Sequence, residues 1–437
     1  MTDFKHFQQR RQHLAERMRR GVAVIPTAPE RLRNRDAHYP YRFDSYFYYL
    51  TGFTEPEAVL VLIAGDAPRS ILFCRDKDPE REVWDGFRFG PEAAREAFGF
   101  DEAHSITQLD EMLPKLLADQ PALFYGVGAD SHWDERAVGW LNRVREQTRS
   151  GVTAPSEIRD VRVLLDEMRL IKRPEELHAM RRAAQISCGA HRRAMEFANP
   201  ERHEFEIEAE LLHEFRRHGA QAPAYTSIVA GGANACVLHY VDNSAALRDG
   251  ELLLIDAGCE VDGYASDITR TFPVNGQFSA AQRDVYQLVL AAQAAAIAVA
   301  VSGNTWEQPH EAATRVLAQG MIDLGLCQGS LDAVLESGAY KRFYMHRTGH
   351  WLGLDVHDAG EYKHEGKWRE LLPGMVLTVE PGCYIRPADD VPQHLWNIGI
   401  RIEDDVLVTA EGNEVLTLEA PKTVDEIEAL MGHVGPR

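Results

Sequence analysis

The spacing of apolar and polar positions divides the chain into helix-like and strand-like segments. The first twenty residues carry apolar positions at helical spacing and predict an amphipathic helix. Three apolar runs between residues 43 and 75, FDSYFYYLTGF, AVLVLIAG and SILFC, are separated by turn-forming residues and predict strands. Together with the mixed segment that follows to about residue 150, these runs predict a small α/β domain.

The rest of the chain repeats one order of elements. Pro174, followed by two glutamates, is typical of a helix start, and Ser279 with Gln282 three residues later is a capping-box pattern. Strand-like runs follow each of two helix pairs. The helices are predicted at 174–198, 201–218, 279–303 and 305–325. This repeated order predicts two similar halves with a cleft between them.

Chain length and a Gly- and Pro-containing segment predict two domains. At 437 residues the chain exceeds what one hydrophobic core usually supports. Residues 151–165 (GVTAPSEIRDVRVLL) precede the first predicted helix of the larger part. We therefore predict an N-terminal α/β domain at 1–165 and a second domain at 166–437, an α/β (α+β) protein.

Charge and cysteine usage exclude several classes of partner and compartment. The formal net charge is -20 and no basic tract offsets it, which argues against nucleic acid or an anionic membrane as partner. The N-terminus lacks the apolar centre of a signal peptide, and the Ala-rich segment 285–301 is too polar for a membrane span. Six cysteines without paired spacing are typical of reduced thiols. We expect a cytoplasmic protein.

One hairpin predicts a pair of neighbouring carboxylates. The turn Asp262-Gly263 places position 261 opposite 264, so that Asp256 opposes Thr269 and Asp267 opposes Gly258. Both aspartates then lie on one sheet face as diagonal neighbours, roughly 7 to 8 Å apart. Two carboxylates at that separation can close around two metal ions about 3.5 to 4 Å apart. The alternative is that both are polar positions on a solvated strand face.

Two glutamates occupy strand-like runs nearer the C-terminus. Glu380 ends the apolar run of MVLTVEPG, and Glu403 is predicted inside a strand in NIGIRIEDDVLVT. A glutamate buried there without a partner is costly, so Glu403 needs a metal or a cation. Pairing with Arg401 is the simplest alternative.

The segment MHRTGHWLGLDVHD contains three histidines, His346, His350 and His357. Its HxxxH spacing is that of helical zinc proteases, but Arg347 replaces the catalytic Glu of HExxH, and Gly349 and Gly353 disfavour a helix. One imidazole is expected to bind metal, and the others to donate hydrogen bonds to a substrate carbonyl or oxyanion. Isolated histidines such as His213 and His310 are interpreted as structural.

Four carboxylates and one imidazole therefore form a candidate ligand set. Hard oxygen ligands with a single nitrogen suit divalent ions such as manganese, and four negative charges balance two such ions. The same set would accept zinc, cobalt or iron.

Several of these segments together resemble one enzyme family. In order and spacing, IDAGCEVDGYASDITRTF, VLHY, GHWLGLDVHD, LTVEPG and GIRIEDD are similar to aminopeptidase P, the Xaa-Pro aminopeptidase of the pita-bread metallopeptidases. YPYRFDSYFYYLTGFTEPEAVLVL resembles its N-terminal domain, so the likeness covers nearly the whole chain. It implies a pita-bread catalytic domain with internal pseudo-twofold symmetry, and a homo-oligomer, either a dimer or a tetramer. Arg347-Thr348-Gly349 stands where members often carry small residues, which predicts a changed cleft mouth.

The resemblance implies two divalent ions, usually Mn2+, and assigns the ligands residue by residue. The ligands are Asp256, Asp267, His350, Glu380 and Glu403. Asp267 and Glu403 would bridge the ions, Asp256 would complete one, and His350 with Glu380 would complete the other. A metal-bridging hydroxide would attack the peptide, and Glu380 would pass its proton to the departing proline nitrogen. The substrate backbone and tetrahedral intermediate would be held by His239, His346 and His357.

Further residues are implied as support or as pocket lining. Tyr384 and Arg401 would support the ligands, and Tyr225 would line the pocket. Three residues of the N-terminal domain, Asp36, Trp84 and Arg149, would complete it across a subunit interface. For Trp84 the alternative is an ordinary core aromatic.

The implied function is release of the N-terminal residue from peptides with proline in second position. A proline dipeptidase shares the fold and all five ligands, but the context of Trp351 and the N-terminal likeness favour the aminopeptidase. A non-catalytic pita-bread binding protein would be expected to lack ligands, and none is missing in this chain.

Overall fold

The structure, a computed structural model, describes residues 4–432. The chain divides into two compact units, Met1–Met168 and Arg169–Arg437. The helices of the N-terminal unit are α1 (Lys5–Met18), α2 (Ser45–Thr51), α3 (Pro79–Asp85), α4 (Gly90–Phe98), α5 (Leu109–Leu117) and α6 (Ser131–Arg145). Its strands are β1 (Gly21–Pro26), β2 (Val59–Ala64), β3 (Arg69–Cys74), β4 (Glu102–Ser105), β5 (Ala122–Tyr125) and β6 (Glu157–Asp160).

The N-terminal unit is built on one mixed six-stranded sheet. Its strand order is β4-β3-β2-β1-β5-β6, with β2 antiparallel to both of its neighbours and the remaining pairs parallel. Leu113 of α5 and Trp140 of α6 are buried against sheet residues such as Val61 and Ile71. The predicted α/β domain and its N-terminal helix are therefore confirmed.

One predicted strand of this unit is a helix. In FDSYFYYLTGF, residues Ser45–Thr51 form α2. The Asp44 carboxylate accepts a hydrogen bond from the Phe47 amide at 2.9 Å and so caps the first turn. Gly52, at φ 64°, ends the helix in the left-handed conformation. The strand prediction was wrong because the aromatic run lies between these two helix-capping residues.

A further helix, α7 (Arg162–Leu170), contains both the predicted boundary and the observed division of the chain. The helices that follow are α8 (Pro174–Phe197), α9 (Glu204–Arg217), α10 (Ala280–Val299), α11 (Glu307–Asp323), α12 (Leu331–Ser337) and α13 (Val424–Gly432). The strands of the first half are β7 (Ala222–Pro223), β8 (Ile228–Gly231), β9 (Leu252–Asp256), β10 (Cys259–Val261), β11 (Tyr264–Ala265) and β12 (Thr269–Pro273). Those of the second are β13 (Lys363–His364), β14 (Lys367–Trp368), β15 (Val376–Val379), β16 (Gly382–Ile385), β17 (Ile398–Arg401), β18 (Asp404–Val408) and β19 (Asn413–Val415).

The repeated order of helix pair and β segment is confirmed. Helices α8 and α9 precede β7 to β12, and α10 and α11 precede β13 to β19. The capping box is also present: the Gln282 amide donates to Ser279 Oγ at 3.3 Å, and the Ser279 amide donates to Gln282 Oε1 at 2.9 Å. Buried residues of both halves, including Phe215, Ile255, Val289 and Ile400, belong to one hydrophobic core.

The predicted hairpin register is correct, but the hairpin is interrupted. Val261 pairs with Tyr264, and Asp256 pairs with Thr269. Between these pairs the regular strand pairing stops. Strands β9 and β12 form one three-stranded sheet with β8, and β10 and β11 form another with β7. A Cβ on Gly258 would lie 1.7 Å from the Ser266 carbonyl oxygen, so the backbones approach here more closely than a side chain allows.

The strand predicted around Glu403 is likewise broken. Strand β17 ends at Arg401 and β18 begins at Asp404, which leaves Glu403 between them rather than inside one strand. Strand β17 pairs with β16, whereas β18 pairs with β15. The two strands therefore belong to different sheets, and the change of partner occurs at Glu403. Within residues 4–432, no helix combines the length and the apolar character that crossing a membrane requires.

Candidate active site

The five predicted ligands come from strand ends and one loop of the C-terminal unit. Asp256 is the last residue of β9, Asp267 precedes β12, Glu380 follows β15, and Glu403 separates β17 from β18. His350 lies in the irregular segment between a short 3-10 helix (Ala339–Arg342) and β13, where no helix forms, as its glycines predict. All five line one cavity of about 740 Å³. Strand ends orient the carboxylates into this cavity because backbone pairing stops there.

The ligand atoms converge within short distances. One atom each from Asp267, His350 and Glu403 lies within 4.8 Å of the other two. His350 Nε2 is 3.5 Å from Asp267 Oδ2 and 3.7 Å from Glu380 Oε1. The Tyr225 hydroxyl lies within hydrogen-bond distance of two of the carboxylates, at 2.6 Å from Asp256 Oδ1 and 2.5 Å from Asp267 Oδ1. The structure therefore brings all five side chains into one site.

Arg401 is a cation within this acidic site, but its carboxylate partner is Asp256. Its guanidinium donates to Asp256 Oδ2 at 2.7 Å and to Thr269 Oγ1 at 3.1 Å. The buried Glu403 carboxylate accepts instead from the Thr269 hydroxyl at 2.7 Å. The hydrogen bonds therefore do not pair Glu403 with Arg401, which was the simplest alternative from the sequence.

The charges of the site are only partly compensated by protein groups. Burial and neighbouring carboxylates raise the pKa of Asp267 and of Glu403, and burial raises the pKa of Glu380. Burial lowers the pKa of His350, but Asp267 and Glu380 outweigh it and raise that pKa to about 9. The raised pKa values of the acids and of His350 have a common cause. The single imidazolium offsets only part of the negative charge of several buried carboxylates.

The donor set fits divalent cations. The Tyr225 hydroxyl has one proton and two carboxylate oxygens within 2.6 Å, so it can satisfy one of them at a time. The second oxygen then requires another proton or a cation. Four carboxylates and one imidazole around a cavity are the ligands that hard or borderline divalent ions prefer.

The orientation of His350 leaves one ring nitrogen available for a metal. Its Nδ1 lies 2.9 Å from the Trp351 carbonyl oxygen, which can only accept a hydrogen bond. In the neutral form, which is the form that binds a metal, the ring therefore carries its proton on Nδ1 and directs the lone pair of Nε2 toward Asp267 and Glu380.

The other histidines of the motif differ in their surroundings. His346 donates from Nδ1 to the Arg347 carbonyl oxygen at 2.7 Å, and its Nε2 accepts from the Tyr384 hydroxyl at 2.8 Å. Burial lowers the pKa of His346 to about 4, so its ring is neutral and both nitrogens have protein partners. The exposed His239 and His357 also line the cavity, and the His357 ring packs edge-on against that of His350 at 4.4 Å.

Apolar side chains form much of the remaining cavity wall. They are Ile228, Leu238, Val241, Trp306, Val356, Tyr362 and Trp368. The candidate site thus combines a charged floor with an apolar wall.

Three predicted site residues belong to the N-terminal unit, where Asp36, Trp84 and Arg149 are all exposed. Trp84 is 83% exposed, so the alternative that it is an ordinary core aromatic is wrong. Their participation in a pocket stays a prediction.

Two buried residues at the site escaped sequence reasoning. Thr269 links Arg401 to Glu403, and Asp405 accepts a hydrogen bond from the Asp267 amide at 3.1 Å. Asp405 Oδ1 has no hydrogen-bond partner among residues 4–432. The signal for Asp405 was an acid inside the apolar run DDVLV, where a buried charge is costly. Thr269 carries no comparable signal, because threonine is common in strands.

Comparison with known proteins identifies the family. Residues 178–410 match the profile of metallopeptidase family M24, and residues 7–125 match the aminopeptidase P N-terminal domain. The chain is 47% identical to a Xaa-Pro aminopeptidase of Haemophilus influenzae over 429 residues, covering 98% of this chain and 97% of the relative. The chain belongs to metallopeptidase family M24. A Xaa-Pro aminopeptidase of Escherichia coli K12 is 46% identical to this M24 member, over 98% of this chain and 97% of the relative.

Solved structures support the same assignment. The Pseudomonas aeruginosa aminopeptidase PepP superposes with a TM-score of 0.97 at 50% identity, covering 99% of each chain. A zinc-substituted Escherichia coli aminopeptidase P in complex with product gives a TM-score of 0.97 at 44% identity over 100% of each chain. The α/β fold predicted from sequence is therefore confirmed, and the M24 member described here is an enzyme of the aminopeptidase P type.

Proposed function

We propose that this M24 metallopeptidase removes the N-terminal residue from peptides whose second residue is proline. The observation that carries the proposal is the 47% identity to a Xaa-Pro aminopeptidase over 98% of the chain. The five converging ligand side chains support it, because a relative retained only for binding would be free to lose them. The aminopeptidase P N-terminal profile at residues 7–125 favours this activity over that of a proline dipeptidase.

Asp256, Asp267, His350, Glu380 and Glu403 would hold two divalent ions, and we propose Mn2+ as the native metal. Such ions, when bound, supply a water of lowered pKa and polarise the scissile carbonyl. Two positive charges on each ion would neutralise the four acids of the site. Arg401 and Tyr225 would then keep the Asp256 carboxylate oriented through hydrogen bonds of 2.7 and 2.6 Å.

Glu380 is the proposed proton carrier of the reaction. Its carboxylate lines the cavity 3.7 Å from His350 Nε2, where it would accept a proton from water and later release it to the proline nitrogen. His239 and His357 are proposed to contact the substrate backbone and the tetrahedral intermediate. For His346 the hydrogen bonds favour a supporting role, because both its ring nitrogens already bond to protein groups.

The apolar wall suits the ring of a proline residue. Val356 and Trp368 belong to a group of apolar side chains that line the cavity beside the ligands. A pyrrolidine ring has no N–H and presents apolar surface, so it gains from burial against such groups. We propose that Tyr384 supports this arrangement through its bonds to His346 and Arg401.

We further propose that residues 1–165 form the aminopeptidase P-type N-terminal domain and 166–437 the catalytic domain of a cytoplasmic homo-oligomer, a dimer or a tetramer. Val83 and Trp84 are 81% and 83% exposed, and neighbouring apolar side chains at a surface are typical of protein–protein contacts. In such an oligomer Asp36, Trp84 and Arg149 would complete the pocket of a partner subunit. Light scattering of the wild type and of Trp84→Ala tests this arrangement.

The function is tested by incubating the purified protein with Mn2+ and comparing three substrates. These are an Xaa-Pro dipeptide, the matching Xaa-Pro-Xaa tripeptide, and a tripeptide with alanine in second position. We expect release of the first residue from the Xaa-Pro-Xaa tripeptide, no cleavage of the alanine peptide, and no cleavage of any substrate by His350→Ala. Cleavage of the dipeptide alone would identify a proline dipeptidase. No cleavage at all would favour a binding protein.

A further inference from the structure

A buried ionic cluster lies behind the loop that carries the histidines. Asp358 accepts hydrogen bonds from Arg169 Nη2 at 2.5 Å and from Lys172 Nζ at 2.9 Å. The side chains of all three residues are 1% exposed. Arg169 also binds Asp355 at 2.7 Å. Three charges removed from water in this way hold one another in fixed positions, because leaving any of them without its partners costs several kcal/mol.

The loop backbone is shaped to admit the Asp358 carboxylate. A Cβ on Gly353 would lie 2.3 Å from Asp358 Oδ2, so only glycine leaves room for this side chain. Burial raises the pKa of Asp358, but Lys172 and Arg169 outweigh it and leave the pKa below its ordinary value. Asp358 is therefore ionised at neutral pH and remains bound to its two cations.

A chain of hydrogen bonds connects this cluster to the candidate metal centre. The Asp358 amide donates to the Trp351 carbonyl oxygen at 2.9 Å. The same oxygen accepts from His350 Nδ1, also at 2.9 Å. A carbonyl oxygen has two lone pairs and can accept both bonds. The position of the Asp358 backbone thereby fixes the acceptor that holds the proton of His350 on Nδ1.

We infer that Arg169, Lys172 and Asp358 form an anchor that orients the His350 imidazole, so that its Nε2 is presented to the metal. The inference rests on the proposed function only in that it takes His350 as a metal ligand. Asp358 is a positioning residue that acts through the Trp351 carbonyl. Residues that orient metal ligands in this indirect way affect metal affinity by about 10- to 100-fold when they are replaced.

The test measures Mn2+ affinity by calorimetric titration of the metal-stripped, full-length protein. Asp358→Asn and Arg169→Met are expected to weaken Mn2+ binding by about 10- to 100-fold. Arg169→Lys retains a positive charge of similar reach, and we expect it to keep most of the affinity. Raising the Mn2+ concentration should restore much of the turnover of Asp358→Asn, because the ligands themselves are intact.

The matched control is Glu204→Gln, which changes another fully buried carboxylate of the same unit. Glu204 accepts hydrogen bonds from the Gly231 amide at 2.7 Å and the Ala245 amide at 2.8 Å. Within residues 4–432 it forms no hydrogen bond or ion pair with any of the five ligands. We expect this variant to lower the melting temperature of the metal-stripped protein without weakening Mn2+ binding. The melting temperature of every variant in EDTA separates loss of stability from loss of affinity.

Wild-type Mn2+ affinity in both Asp358→Asn and Arg169→Met, with lowered melting temperatures, would overturn the anchor and leave a purely structural cluster. Equal loss of affinity in Glu204→Gln would overturn it as well, because the effect would then follow stability alone. A wild type that binds Mn2+ but cleaves no Xaa-Pro peptide would refute the proposed function, while the affinities of the variants would still decide the anchor.

Discussion

His350 is predicted to stabilise the metal-stripped protein at low pH and to lose that effect as the pH rises. Asp267 and Glu380 raise the pKa of His350 from 6.5 to about 9 against the opposing effect of burial. A group whose pKa is raised on folding contributes stability that is complete below its unfolded pKa and disappears above its folded pKa. The contribution is therefore present at about pH 6 and absent near pH 10.

The size of this contribution follows from the shift. A change from 6.5 to about 9 corresponds to about 3 kcal/mol in the free energy of unfolding. The His350 side chain is 13% exposed, so little of this is lost to solvent screening. For a unit of the size of Arg169–Arg437, a change of about 3 kcal/mol in the free energy of unfolding shifts the melting temperature by roughly 6 to 12 °C. His350→Ala should show a deficit of this order near pH 6 that narrows as the pH rises.

Differential scanning calorimetry in EDTA, at several values between about pH 6 and pH 10, measures this difference between wild type and His350→Ala. The control is His213→Ala, which removes an exposed histidine on α9 and should leave the melting temperature unchanged. If the melting temperature of His350→Ala were lower by the same amount at every pH, the electrostatic reasoning would be refuted. The effect of the substitution would then come from lost packing and from the lost hydrogen bond to the Trp351 carbonyl.

Other substitutions test the cleft mouth, the supporting hydrogen bonds and the buried charges. Arg347 pairs with Glu307 and lines both the candidate site and a neighbouring cavity of about 930 Å³, so Arg347→Gly should raise kcat/KM for longer peptides relative to tripeptides; an unchanged ratio would contradict this. Tyr384→Phe should lower kcat more than it changes KM at saturating Mn2+, since the hydroxyl bonds only to protein groups; a change confined to KM would indicate substrate contact. Asp404→Asn should destabilise the protein by about 3 to 5 kcal/mol at neutral pH, because Arg270 loses its buried carboxylate. Burial raises the pKa of Asp404, but Arg270 and Lys422 outweigh it and leave that pKa below its ordinary value. The difference in unfolding free energy between wild type and Asp404→Asn should therefore shrink as the pH falls through the folded pKa. A difference that persists in acid denaturation curves would refute this.

Local signals in the sequence were sufficient to place much of the site. The Asp262-Gly263 turn fixed the pairing of Asp256 with Thr269, because a two-residue hairpin leaves one register. The capping box at Ser279 marked the start of α10, because its two hydrogen bonds involve residues three apart in the chain. These features depend on neighbours in sequence, which is why they could be predicted.

Features that depend on distant residues could not be predicted in the same way. The partner of the Glu403 carboxylate is Thr269, 134 positions earlier in the chain, and not Arg401, which is only two positions away. The engagement of both His346 nitrogens depends on Tyr384, and the cluster around Asp358 depends on Arg169, 189 positions away. Helix α2 is the exception among the missed features, because its signal was local. Asp44 caps the helix, but the β propensity of the aromatic residues led to the prediction of a strand.

The interruptions of the strands explain why the ligands of both halves meet. Regular pairing stops before Asp267 in one half and after Arg401 in the other, so backbone groups there are released from their own sheets. They bond across the halves instead: the Glu403 amide donates to the Thr269 carbonyl oxygen at 3.0 Å, and the Asp267 amide donates to the Asp405 carboxylate at 3.1 Å. Buried amides need acceptors, so these bonds are required by the same breaks that direct the side chains into the cavity. An uninterrupted pair of hairpins would satisfy its amides within each sheet and would leave the acids of the two halves without a backbone connection.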